Sequence, residues 1–108
     1  MNLTPAELSK FYEGHMKFQA EQLLRPYEGQ WIEVSGGVRD ISSHGDQFAL
    51  TLEDHRDPYL VLIFDRTAWE ERLTVLQRGQ LIFVHGRVEK VEPYSVMLTD
   101  CELVPAVD

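Results

Sequence analysis

The amino-acid sequence predicts a mainly β protein: a small closed barrel of five strands with flanking helices. Three observations carry that expectation. The first is a long-range echo. Gly29-Gln30-Trp31-Ile32-Glu33-Val34-Ser35-Gly36-Gly37-Val38-Arg39-Asp40-Ile41 returns fifty positions later as Gly79-Gln80-Leu81-Ile82-Phe83-Val84-His85-Gly86-Arg87-Val88-Glu89-Lys90-Val91. Each copy starts at a turn glycine, alternates apolar with other residues, and carries a Gly where a strand would bend sharply. The second is the alternation of Phe48, Leu50 and Leu52 with Gln47, Ala49, Thr51 and Glu53, one buried face against one wet face. The third is the order of elements, three strands, a helix, then two more strands.

The leader comes first and reads as one amphipathic helix over residues 4–25. Thr4 caps it, Pro5 suits the first helical position, and Glu7 completes a T-x-x-E capping box, with Leu3 and Leu8 placed for a hydrophobic staple. Leu8, Phe11, Tyr12, His15, Met16, Gln19, Ala20, Leu23 and Leu24 recur at three- and four-residue spacing. Pro26 disfavours helix at Arg25 and stops it. The first strand runs from about Gln30 to Ile41, with Gly36-Gly37 marking a bulge or a close backbone approach. A turn over residues 42–46 leads to the second strand, Gln47 to Glu53. After the polar loop 54–58, the third strand, Tyr59 to Phe64, is apolar on both faces, so its outer side needs a cover.

A short helix follows, capped by Thr67 with Glu70 completing a second capping box; Trp69, Leu73 and Leu76 point inward, and Gly79 ends it in the left-handed conformation. The fourth strand is Gln80 to Val91, a hairpin turns at Glu92-Pro93-Tyr94, and the fifth strand is Ser95 to Leu103. Its phase is open: Val96 and Leu98 fit one face, Met97, Cys101 and Leu103 the other. The expected division is a leader at 1–26 packed on the barrel, a barrel at 27–104 and a tail at 105–108. This is the order of the five-stranded OB-fold barrel. An SH3-like barrel fits less well, because the helix lies between strands three and four.

The same residues resemble the bacterial tRNA-anticodon-like OB-fold family. The match rests on the leader ending in Pro26-Tyr27-x-Gly29-x-Trp31, on Val34-Ser35-Gly36-x-Val38, on Phe64 with Trp69, on Leu76-x-x-Gly79-x-x-Ile82-x-Val84-x-Gly86, and on Leu98-x-Asp100-Cys101-Glu102-Leu103. These are glycines and core apolars. The resemblance therefore implies a fold and, by likeness, nucleic-acid binding, but no catalytic residues. Some members are lipoproteins; no lipobox cysteine stands near this N-terminus.

Composition narrows the function classes. The 108 residues carry a net charge of −8. From Thr4 to Arg25 three acids balance three bases; from Pro26 onward fifteen acids face seven bases, so the barrel holds the whole deficit. Such a surface attracts no phosphate backbone at long range. Cys101, the single cysteine, forms no internal disulfide. The N-terminus lacks a signal-peptide pattern, and no apolar run approaches the roughly 20 residues of a membrane span. The expected location is cytoplasmic, with no membrane partner.

Candidate sites follow from the fold. OB barrels that bind oligonucleotides use the outer face of strands two and three between two clamp loops, and single strands need stacking aromatics flanked by Lys or Arg. Tyr59 and Tyr94 are placed to stack, Arg39 and Arg87 to meet phosphate, His44 lies near the rim, and Thr51 points outward from strand two. Lys90 lies nearby; Asp40, Glu89 and Glu92 offset these bases. The loop Glu53-Asp54-His55-Arg56-Asp57 offers ligand types, but Arg56 would repel a cation, so no metal and no cofactor are expected. The four His are scattered and form no triad with Ser, Cys or Asp, so no catalytic residue and no enzyme activity are expected. Cys101 reads as a small apolar core residue, and Trp31 and Trp69 as core or helix anchors. The leader's apolar stripe docks either on its own barrel or on another protomer. The expectation is a non-enzymatic binding module in which protein contact or self-association is favoured, with single-stranded nucleic-acid binding as the alternative, disfavoured by net charge.

Overall fold

The computed structural model describes residues 4–56, 59–92 and 95–104, without the side chains of Ala6, Asp54, His55 and Arg56. Five strands close into one barrel: β1 (Trp31–His44), β2 (Gln47–Arg56), β3 (Tyr59–Asp65), β4 (Leu81–Glu92) and β5 (Ser95–Val104), in the order β1-β2-β3-β5-β4. All neighbours are antiparallel except β3 and β5. Closure leaves no open sheet edge.

The two echo segments pair with each other. β1 and β4 run antiparallel with Val34 opposite Val84, Ile32 opposite Gly86 and Gly36 opposite Ile82. Each isoleucine thus lies across from the glycine of the other copy, about a local two-fold at Val34 and Val84. Both strands bulge at the same place in the repeat. The register slips between Val38 and Asp40 on β1, and between Val88 and Lys90 on β4. Ile32, Val34, Val38, Ile82, Val84 and Val88 all face inward and are buried. Burying each such side chain contributes about 1.5–3 kcal/mol.

Gly36-Gly37 is a site of close approach, and the bulge falls two residues later. A Cβ on Gly37 would stand 3.3 Å from both the Glu53 carboxylate and the Gly79 carbonyl oxygen. A third bulge, at Asp100 (φ 52°), resolves the phase of β5. Val96 and Leu98 point inward before it, and the extra residue brings Cys101 inward after it.

The leader is not one helix. Helix α1 (Pro5–Ser9) passes into a 3₁₀ turn at Lys10–Tyr12, and helix α2 (Lys17–Leu24) passes into another at Arg25–Tyr27. Gly14, at φ 72°, breaks the run between them. The Thr4–Glu7 capping box forms, with the Glu7 N–H donating to Thr4 Oγ1 (3.2 Å) and the Thr4 N–H to Glu7 Oε2 (3.3 Å). Leu3, its staple partner, lies outside the described residues. The break rotates the apolar stripe. Leu8, Ala20 and Leu24 are buried and Phe11, Tyr12 and Tyr27 pack beside them, whereas Met16 (69% exposed) and Leu23 (43%) face solvent, contrary to expectation. Tyr12 Oη donates to the Val91 carbonyl at 2.8 Å. The leader packs against β4 and β5, so it is not the cover that β3 was expected to have.

Helix α3 (Arg66–Thr74) follows β3 directly. Its cap is Asp65, whose carboxylate accepts from the Ala68 N–H at 3.0 Å, not Thr67. Asp65, already at the strand end, takes the role before Thr67 is reached. Leu73 is buried and Trp69 and Leu76 pack on the core, with Trp69 edge-on to Phe64 at 5.9 Å. The helix ends at Thr74, well before Gly79. That glycine instead serves a separate turn at φ 86°, where its N–H donates to the Val38 carbonyl at 2.7 Å. α3 closes the end of the barrel where β4 begins, and the leader the end where β4 finishes.

Candidate ligand-binding face

The outward residues of β2, β3 and β5 make one continuous face. On β3, Tyr59, Val61 and Ile63 alternate with buried Leu60, Leu62 and Phe64. Across from them stand Ala49 opposite Ile63, Thr51 opposite Val61, and Met97 opposite Val61 from the other side. This face holds a hollow of about 500 Å³. Its floor is Ala49, Val61, Ile63 and Met97, with Thr99 beside them, His44 and Gln47 at the hairpin end, and Glu89 at the β4 margin. The two-sided apolarity of β3 is therefore open on its outer side.

The hairpin rim is held in place. Arg66 donates to Ser43 Oγ (3.1 Å) and to the Gly45 carbonyl (3.0 Å), and its guanidinium lies 5.3 Å from the centre of the Phe48 ring. The Arg66 N–H donates to the Asp46 carbonyl at 2.9 Å. One residue at the start of α3 thus ties down the β1–β2 turn. The sequence gives no signal for this, because no short spacing links Arg66 to residues 43–46.

The expected site residues divide. Arg39 and Tyr59 come together, the guanidinium 5.8 Å from the ring centre, and Tyr59 is 46% exposed. The bulge that frees Arg39 from the strand alternation lets it reach across β2. Thr51 lies on the face between Asp40 and Val61. His44 sits at the hairpin end, with Nε2 2.9 Å from Ser42 Oγ. Arg87 stands apart on β4, opposite Trp31 and Thr99, and is ion-paired to Asp100 at 2.7 Å. Lys90 pairs with Glu92 at 3.1 Å. Tyr94 lies outside the described residues; of the expected 54–58 loop, residues 54–56 instead continue β2, their side chains lying outside the described ones as residues 57 and 58 do.

Cys101 is buried and its thiol is pushed up to about 12 by burial, with the neighbouring Asp100 charge adding to the effect. A thiol held protonated in this way is a packing group and not a nucleophile. Tyr12 is also shifted upward, by burial first and then by Glu21 and Glu92. Trp31, expected as an anchor, faces outward instead, in the phase opposite to Ile32 and Val34; it is 47% exposed and stacks on His85 at 4.8 Å. Among the described residues, no three His, Cys, Asp or Glu side chains converge as a metal site. No helix among them is long and apolar enough to cross a membrane.

A five-stranded barrel with this order and a helix between β3 and β4 is an OB-fold domain, a class of binding domain and not a catalytic one. The chain belongs to the tRNA_anti-like family, whose model matches residues 15–102. No curated protein matches it in sequence. Among solved structures it is similar to a lipoprotein of Klebsiella pneumoniae subsp. pneumoniae proposed to bind nucleic acid. The two share 22% identity and a TM-score of 0.59, over 79% of this chain and 87% of that one. It is similar to part of asparaginyl-tRNA synthetase from Pyrococcus horikoshii, with 18% identity and a TM-score of 0.55 over 76% of this chain and 21% of the synthetase. It also resembles OBody NL8, solved bound to hen egg-white lysozyme, with 14% identity and a TM-score of 0.53 over 73% of this chain and 98% of the OBody. At these identities the likeness is one of fold.

Proposed function

We propose that this protein is a protein-binding module whose outer β2–β3–β5 face docks an apolar segment of a partner. One observation carries the reading: the face is floored by Ala49, Val61, Ile63 and Met97, while the bases that a phosphate backbone would need are already engaged. Arg87 is held by Asp100 and Lys90 by Glu92, and Asp40 and Glu89 border the face with negative charge. The partner surface that fits is apolar at its centre and basic at its margin. The OBody complex with lysozyme supports the reading, since there a barrel of the same fold contacts a protein.

The second reading, single-stranded nucleic acid, is favoured by Arg39 over Tyr59, a cation and an exposed ring on one face, and by the name of the Klebsiella neighbour. Stacking on one ring is worth about 1–3 kcal/mol per base, and a single aromatic offers one such step.

The test compares quantitative affinity capture by wild type, Val61→Glu and Met97→Glu, each checked for folding by circular dichroism. A partner captured by wild type and lost with both variants supports the docking face. In parallel, labelled single-stranded DNA and RNA are titrated by anisotropy. Saturable oligonucleotide binding that Tyr59→Ala or Arg39→Ala removes, with no protein dependent on Val61 and Met97, would reverse the order of the two readings.

A further inference from the structure

The wall of the barrel opposite β2 and β3 is formed by β1 and β4, and it too is partly apolar. Outward along β4 come Leu81, Phe83, His85 and Arg87, facing Gly37, Ser35, Glu33 and Trp31 of β1. Leu81 is 62% exposed and Phe83 39%, and Val75, in the turn just before, is 74% exposed. All three line one hollow, so they form a contiguous exposed apolar stretch, the kind of surface that marks an interaction site.

The two ends of this wall differ in shape. At one end the Trp31 ring leans on His85, 4.8 Å between centres and tilted by 34°, as a projecting knob. At the other is a hollow of about 320 Å³ lined by Arg72, Val75, Leu81, Phe83 and Leu103. Leu81 and His85 are four residues apart on one strand, about 13 Å, so knob and hollow lie side by side with room for a symmetry axis between them.

The charges divide in the same way. His85 lies between Glu33 on β1 and Glu102 on β5, and Arg87, opposite Trp31, is neutralised by Asp100, so the knob end is net acidic. Arg72 lines the hollow and Arg78 is exposed in the turn leading to β4, two guanidinium groups against the single Glu53 carboxylate beside Gly37 and Gly79. A face with a knob and acids at one end and a hole and bases at the other is complementary to itself under a two-fold rotation. A separate basic partner would meet Arg72, and a separate acidic one would meet Glu33. A second copy satisfies both ends.

We infer that this wall is the interface of an isologous homodimer, in which Trp31 of each copy seats in the hollow of the other and Glu33 faces Arg72. The barrel is closed, so the contact is made by side chains and not by strand addition. The β2–β3–β5 faces of both copies point away from the axis and stay free. Each copy carries −8, so the dimer forms against a long-range repulsion that salt near 0.15 M confines to about 8 Å.

Analytical ultracentrifugation from about 10 µM to about 500 µM reads the association directly. Glu33→Arg and Arg72→Glu change exposed residues, the second also removing a guanidinium 4.9 Å from the centre of the Trp69 ring, and melting curves check that the fold is kept. Each variant alone places like charges across the axis twice and is expected to dimerise at least about tenfold more weakly. An equimolar mixture of the two restores opposite charges at both contacts and is expected to dimerise as wild type does. Leu81→Glu is expected to weaken association in every combination. A wild type that stays monomeric across the range overturns the inference. So does a dimer that neither charge variant weakens, or a mixture that associates no better than its components.

Discussion

At the scale of single residues, Gly86 and Cys101 are coupled by packing. Gly86 faces Ile32 across the β1–β4 ladder and presses against β5. A Cβ there would stand 2.8 Å from Cys101 Sγ and 3.0 Å from Leu98 Cβ, both in the core. Gly86→Ala is therefore expected to cost about 1–3 kcal/mol by overpacking, measured by urea denaturation, and to cost less in a Cys101→Ala background, where one clashing atom is gone. Equal costs in both backgrounds would place the strain on Leu98 alone. The same thiol gives a pH dependence. Burial raises it from its ordinary 9.0 to about 12, so above pH 9 the unfolded chain releases this proton while the folded one keeps it. Its contribution to stability is intact below pH 9 and declines as pH rises from 9 toward 12, with a slope of up to about 1.4 kcal/mol per pH unit. Tyr12, also raised, adds a loss of the same sign at higher pH. The stability difference between wild type and Cys101→Ala is expected to shift by about 2 kcal/mol against wild type between pH about 8 and pH about 10.5. A difference that stays constant over this range would show that the thiol is not shifted.

At the scale of elements, the leader is the piece whose role is least regular and most testable. Leu8 and Leu24 are buried among barrel residues, and Tyr12 and Ser9 reach the carbonyls of Val91 and Glu92. Leu8→Ala is expected to lower stability by about 2–5 kcal/mol; Met16→Ala, at an exposed position, by less than about 0.5 kcal/mol. Removing the residues before Pro26 is expected to lower the melting temperature and expose apolar surface to a dye such as ANS. A truncated barrel that melts as the whole chain does would mean the leader is not part of the fold's stability. The contrast between these elements shows what the sequence could and could not carry. The echo disclosed β1 and β4 because strand alternation and glycine placement are local and period-two. It could not disclose that the copies pair with each other, since register is set by closure of the whole barrel. The leader was legible as helix by its spacing and its capping box, yet Gly14, a poor helix former that takes φ 72°, divides it, a local signal that the three- and four-residue spacing overrode in the reading. At α3 the expected cap was Thr67, but Asp65, two residues earlier, caps the helix because β3 runs directly into it. On the candidate face, Tyr59 with Arg39 could be placed from the fold. The Arg66 clamp and the Arg87–Asp100 pair could not, because they join residues whose proximity exists only in the closed barrel.

At the scale of the whole molecule, charge decides between the two binding readings. Nucleic-acid affinity falls with salt in proportion to the phosphates neutralised, with a slope of about −0.7 per contact for single strands. The barrel carries the entire −8. Of the bases expected near the face, Arg87 and Lys90 are ion-paired and Arg39 lies over Tyr59; Arg66 is spent on the β1–β2 turn. Freeing a paired base for phosphate leaves its carboxylate behind, so the net gain in attraction is small. A strand on this face would neutralise one or two phosphates and stack on Tyr59, and its affinity would rest on those terms alone. The expected result is weak oligonucleotide binding at low salt, a shallow slope of log K against log salt of magnitude about 1, and no saturable binding near 0.15 M salt. Asp100→Asn, which releases Arg87 and removes one negative charge, is expected to strengthen low-salt binding by a few-fold. Binding in the low-micromolar range at 0.15 M with a steep salt slope would require several free cations on one surface. Arg56 is the one base whose side chain lies outside the described residues, so such a result would mean that the ion pairs of Arg87 and Lys90 open on binding.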